Sequence, residues 1–132
     1  MKKPLTRTIA GRTFVIDVVT EPNDDPEIGE TVSLAELERA ELEMAGELVG
    51  DAISAEAFAW MRKALSLRGV DLAAMLDVRP ETVSRWERGE LDVPRSAWLV
   101  LGSMVLERLG RPTETQARAK RLVEPKQPGA TV

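Results

Sequence analysis

Arg79-Pro80-Glu81-Thr82-Val83-Ser84-Arg85-Trp86-Glu87-Arg88-Gly89 is the stretch whose reading decides the fold. A Pro near the start and a Gly just past the end punctuate a short helix. Pro fits the first turn, where its missing N–H is not needed, and Gly accepts the conformation that closes a helix. Val83 and Trp86 stand three apart and share one face. Glu81, Ser84, Arg85 and Arg88 fall on the opposite face. A short helix with an apolar back and an Arg-bearing front can lie in a DNA major groove.

The flanking sequence supplies the frame for such a helix. Leu72, Ala73 and Leu76 mark a second short helix from about Val70 to Leu76, and Asp77-Val78-Arg79 is a tight turn. Two short helices joined by a turn of three to four residues form the helix-turn-helix arrangement. Small Ala73 lets the two cross closely, and Val78 and Val83 would plug their contact. Upstream, Ser54 caps a helix with Phe58, Met61 and Leu65 at helical spacing, and Gly69 follows its expected end. Downstream, Glu90–Pro94 is a loop. Trp98, Leu101, Val105, Leu106 and Leu109 then form the apolar face of a helix from about Arg95 to Leu109, ended by Gly110-Arg111-Pro112.

The first 50 residues read differently. Thr13–Thr20 is rich in β-branched residues, and Ala10-Gly11-Arg12 is a turn, so Leu5–Ile9 is expected to pair with Thr13–Val19 as a hairpin. Glu21–Pro26 is an acidic, turn-rich loop. Ser33 followed by Glu36 has capping-box spacing. Leu34, Leu37, Glu41, Met44 and Leu48 then trace a helical stripe to about Val49. The fold expected is mainly α with a small N-terminal β-hairpin. It divides into a hairpin-plus-helix module over 1–50, a helical helix-turn-helix domain over 51–110 and a basic flexible tail over 111–132. One or two helical turns are expected at Glu114–Leu122.

Composition narrows the function classes. With no Cys and no His, disulfides, thiolate metal sites and Ser-His or Cys-His catalysis are excluded within this chain. No metal, cofactor or catalytic residue is expected, and the chain does not read as an enzyme. The carboxylates Asp24-Asp25 and Glu36, Glu41 and Glu43 sit on a loop and a surface helix, where solvated charge is the better account. No apolar run approaches the roughly 18 residues needed to span a bilayer. Met1-Lys2-Lys3-Pro4 is not followed by an apolar signal core, so a cytoplasmic protein is expected. Net charge is −4, distributed as −6 over residues 1–50, −1 over 51–110 and +3 over 111–132. An acidic total argues mildly against indiscriminate nucleic-acid binding without excluding a local basic face.

Over residues 58–106 the chain resembles the Xre/Cro repressor family. Leu67, Leu72-Ala73, Leu76, Val78 and the run Thr82-Val83-Ser84-Arg85-Trp86-Glu87-Arg88-Gly89 carry the resemblance in order and spacing. Within that family it is most similar to the C-terminal half of MqsA-type antitoxins. The resemblance implies that Arg85 reads bases, with Glu81 and Ser84 at other base-facing positions. An Arg there can bond guanine O6 and N7 together, and a Glu can accept from cytosine N4. It implies that Arg68, Arg79, Thr82 and Arg95 meet the DNA backbone, Arg95 in some members reaching the minor groove. Arg88 is grouped with them as a cation at the helix end, where a cation is also favoured by the dipole. It further implies a structural ion pair between Arg62 and Glu87 joining the first helix to the recognition helix.

The chain also departs from the family. Gly69 stands where a phosphate-bonding Gln is usual, Asp77 replaces the turn Gly, and Pro80 offers bases no polar head. Glu90 and Asp92 add negative charge near the DNA side. MqsA-type antitoxins carry an N-terminal zinc module. The positions matching its Cys pairs are Lys3, Thr6, Asp25 and Ile28, which cannot make a tight tetrahedral zinc site.

The leading expectation is a repressor-like, sequence-specific transcriptional regulator that binds a palindromic double-stranded operator as a homodimer. The Trp98–Leu109 helix and Trp60 serve either as its interface or as ordinary core. Two alternatives stand beside it. One is an antitoxin that also neutralises a toxin through its acidic N-terminal half. The other is a protein-interaction module that keeps the fold without binding DNA.

Overall fold

The computed structural model describes residues 1–111; most of the basic tail, including the expected turns at Glu114–Leu122, lies outside the described residues. The chain is mainly helical, with an N-terminal antiparallel hairpin. Strands β1 (Lys2–Ile9) and β2 (Arg12–Val19) pair in a register running from Lys2 opposite Val19 to Ile9 opposite Arg12. Ala10 (φ 52°) and Gly11 (φ 79°) form the turn. Positive φ at both residues matches the type I′ geometry that suits strand twist. Both strands run longer than the sequence pattern suggested. Short bridges β3 (Glu21–Pro22) and β4 (Glu30–Thr31) close the acidic loop, which the sequence had presented only as turns.

Neither edge of the hairpin is left as a plain template for pairing. Helix α1 (Leu34–Leu48) covers the β2 edge: Val19 N–H donates to Glu36 Oε2 at 3.1 Å, and Arg39 Nη2 donates to the Asp17 carbonyl at 2.9 Å. On β1, Pro4 pairs with Asp17, five steps along the ladder from the Ile9–Arg12 pair that flanks the turn. Alternation of the ladder therefore aims the Pro4 ring nitrogen outward, where a missing N–H is harmless and blunts the edge.

Ser33 caps α1, accepting from Glu36 N at 3.2 Å. The capping box is only half made, because the Glu36 side chain turns to Val19 and Arg39 instead. The expected stripe needs correction at its start. Leu34 is 70% exposed, and the buried positions are Ala40, Met44, Ala45 and Leu48.

Four further helices follow: α2 (Ala55–Ala64), α3 (Gly69–Leu76), α4 (Pro80–Glu87) and α5 (Arg95–Arg108). Ser54 caps α2 through Ala57 N at 3.1 Å. Gly69 does not follow the end of α2 as expected; it opens α3. Helix α2 stops at Ala64, and Ser66, at φ 54°, takes the left-handed position that turns the chain.

One apolar core spans the compositional boundary at residue 50. Ile9 and Phe14 from the hairpin and Met44 and Leu48 from α1 share a cluster with Phe58, Met61, Leu72, Val83, Trp86, Trp98, Leu101 and Val105. Two indoles fasten α1 to the later helices: Trp98 Nε1 donates to the Val49 carbonyl and Trp60 Nε1 to the Glu41 carbonyl, each at 3.3 Å. Helices α1 and α5 approach closely at glycine. A Cβ on Gly102 would stand 3.0 Å from Val49 Cγ1. Trp98 (4% exposed), Leu101 and Val105 are therefore core, and half-buried Trp60 packs against that core; the free apolar side of α5 is Leu99 and Val100.

Candidate nucleic-acid interface

The turn between α3 and α4 is built by one residue in a left-handed conformation. Asp77 (φ 55°, ψ 46°) closes α3, with Val78 N donating to Ala73 O at 3.0 Å and Asp77 N to Ala74 O at 3.3 Å. This pair of bonds is the Schellman closure, normally given to Gly; a short polar side chain such as Asp enters that region more readily than most. Helix α4 ends by the same device. Gly89 (φ 75°) donates to Trp86 O, and Glu90 N donates to Arg85 O at 2.9 Å. The eight-residue helix α4 is thus bracketed by left-handed residues, Asp77 before it and Gly89 after it.

Two anchors fix the orientation of α4. Its back buries Val83 and Trp86, and the Trp86 ring meets Phe58 of α2 edge to face at 5.9 Å between centroids. Its last residue, Glu87, is held by Arg62 of α2 through two charge-assisted bonds, Nε at 2.5 Å and Nη2 at 2.8 Å. Arg62 Nη1 also donates to the Leu67 carbonyl at 2.8 Å. The two side chains are only 15% and 14% exposed, and the carboxylate raises the Arg62 pKa despite its burial.

The side chains expected to meet DNA divide into two groups. Arg79 precedes α4, Arg85 projects from it, and Arg95 opens α5. Among the described residues none of the three has a side-chain hydrogen bond or ion pair, and all are exposed. Glu81 is exposed in the first turn of α4, on the same side as Arg85 four residues on. Thr82 is half-buried.

The remaining candidates are already engaged. Arg68 reaches Asp71 of α3 through Nε at 2.9 Å and Nη2 at 3.2 Å, which raises the Arg68 pKa and holds Asp71 below the usual carboxylate range. Arg88 grips Glu90 through Nη2 at 2.7 Å and donates from Nη1 to Ser84 Oγ at 2.7 Å. Ser84 is half-buried, and its hydroxyl accepts from Arg88 at the end of the helix. Arg62, Arg68, Gly69, Pro80, Ser84 and Glu87 line one open groove between the start of α3 and α4.

Asp71 was not singled out from the sequence, although its three-residue spacing from Arg68 on a helix start is a readable signal. Among the described residues, no group of three or more Asp or Glu side chains is arranged to hold a metal ion, and no helix is long and apolar enough to cross a membrane. Neither a protein-family model, nor a curated protein, nor a solved structure matches this chain.

Proposed function

We propose that this chain is a sequence-specific transcriptional regulator that binds double-stranded DNA through an Xre/Cro-type helix-turn-helix, with α4 in the major groove. The observation that carries the reading is the outward face of α4. The helix is fixed by the Val83–Trp86 back and the Arg62–Glu87 pair, and it offers an Arg85 that is unpaired among the described residues, with Glu81 on the same side. A fixed helix of this length presenting two side chains able to discriminate guanine and cytosine suits direct readout. Arg79 and Arg95 flank it as phosphate contacts, which set register without reading sequence.

A helix this short reads few bases, so the reading includes a homodimer on two half-sites about 34 Å apart. Leu99 and Val100, 41% and 40% exposed, are the apolar side of α5 left for a second copy.

In vitro selection of bound duplexes at physiological salt, followed by binding of Arg85→Ala, tests the proposal. Wild-type protein should select a palindrome. The variant should lose about 1–3 kcal/mol of discrimination per half-site while its thermal melt is unchanged. If wild type and variant bind selected and random duplexes alike, sequence recognition by α4 is refuted.

A further inference from the structure

Two of the five arginines around the proposed DNA face are neutralised by carboxylates of the same chain. Arg68 is held by Asp71 through two bonds, and Arg88 by Glu90 with a third bond to Ser84. Both pairs are well exposed, so neither is needed to satisfy a buried charge. Exposed pairs of this kind add little to stability. Their effect falls on the arginines, which must give up a carboxylate before they can take a phosphate.

We propose that Asp71 and Glu90 are specificity-determining residues that hold down sequence-independent DNA binding by occupying Arg68 and Arg88. This inference rests on the DNA-binding reading above. Phosphate contacts supply nearly all non-specific affinity, whereas base contacts supply the discrimination. A face on which Arg79, Arg85 and Arg95 are unpaired among the described residues, and the other two cations are occupied, depends more heavily on the bases it reads. Arg88 also donates to the Ser84 hydroxyl through a separate nitrogen, Nη1.

Each phosphate neutralised changes the logarithmic salt slope of binding by about −0.9. Freeing Arg88 in both copies of a dimer should therefore steepen the slope by about 2. At about 0.15 M salt the affinity for random duplex should rise about fivefold per freed arginine, or roughly thirtyfold per dimer.

The experiment is fluorescence anisotropy of a random-sequence duplex with the full chain, from about 50 to about 200 mM salt, comparing wild type, Glu90→Gln, Asp71→Asn and Glu107→Gln. Glu107 is an exposed carboxylate on α5 outside both pairs, so its replacement makes the same charge change elsewhere. The inference expects steeper slopes and tighter random binding for Glu90→Gln and Asp71→Asn, and a wild-type slope for Glu107→Gln. Unchanged slopes in the first two variants overturn it. So does a Glu107→Gln effect as large as theirs, which would mark a simple response to net charge. A wild-type chain with neither salt-dependent duplex binding nor a selectable sequence removes the DNA-binding reading itself, and this inference with it.

Discussion

Replacing Arg62 by Met tests how α4 is held. The guanidinium makes two bonds to the Glu87 carboxylate and one to the Leu67 carbonyl. Met keeps much of the aliphatic stem and removes all three. Glu87, 14% exposed, is then a nearly buried carboxylate with no cation, and Leu67 O loses its donor. Breaking a fully buried pair from one side costs about 3–5 kcal/mol. Because this pair keeps some contact with water, about 3 kcal/mol is expected. Glu87→Gln should cost less, about 1–2 kcal/mol, since an amide oxygen still accepts and Arg62 keeps Leu67. Arg62→Met with Glu87→Leu removes both charges and should recover to within about 1 kcal/mol of wild type. Urea unfolding at neutral pH, followed by the fluorescence of buried Trp86 and Trp98, measures all four proteins. A single Arg62→Met within about 0.5 kcal/mol of wild type refutes the account. A double variant destabilised as much as Arg62→Met alone refutes it equally, because it would mean that the stranded Glu87 carboxylate is not the source of the cost.

Two further predictions concern the hinge and the carboxylates. Asp77→Val places a β-branched residue at φ 55° and should cost about 1–2 kcal/mol in a thermal melt, while Asp77→Gly should be neutral or slightly stabilising; equal melts for Val and Gly would contradict the left-handed hinge. Glu30, Glu36 and Asp71 are held below their usual pKa by hydrogen bonds from Lys3, Arg39 and Arg68. The unfolded chain therefore binds more protons than the native one as these groups titrate. Their contribution is complete at neutral pH and is lost as pH falls below about 4.5. The urea midpoint should be flat from about pH 7 to about pH 5 and then fall, less so in Lys3→Met with Arg39→Met. A midpoint that rises on acidification contradicts the assignment.

Much of this architecture was legible from local chemistry. Ser33 and Ser54 announced helix starts, Ala10-Gly11 announced the hairpin turn, and the Pro80 to Gly89 interval bounded α4 nearly to the residue. The Arg62–Glu87 pair was legible only through the resemblance, since nothing local links residues 25 apart.

Other features were hidden for physical reasons. Helix α1 buries Ala40 and Ala45, whose methyl groups weigh little in the hydrophobic periodicity, so the apparent stripe runs through exposed Leu34. Helix α5 is apolar on both sides, and only the packing of its Gly102 and Trp98 against Val49 decides that Trp98 turns in and Leu99 out. At the candidate site, Arg88 has Glu87, Glu90 and Asp92 within four residues along the chain. The sequence alone does not choose among them.

The core shared across residue 50 has a consequence for anyone wishing to borrow the α3–α4 unit. Composition suggests a seam there, with an acidic half to discard and a neutral half to keep. Cutting at that seam would strip Ile9, Phe14, Met44 and Leu48 from Phe58, Met61, Trp98 and Leu101, and would leave two indole N–H groups without their carbonyls. The smallest transplantable part is therefore the whole body from the hairpin to the end of α5. Any redesign of the outward face of α4 therefore means rewriting its side chains in place.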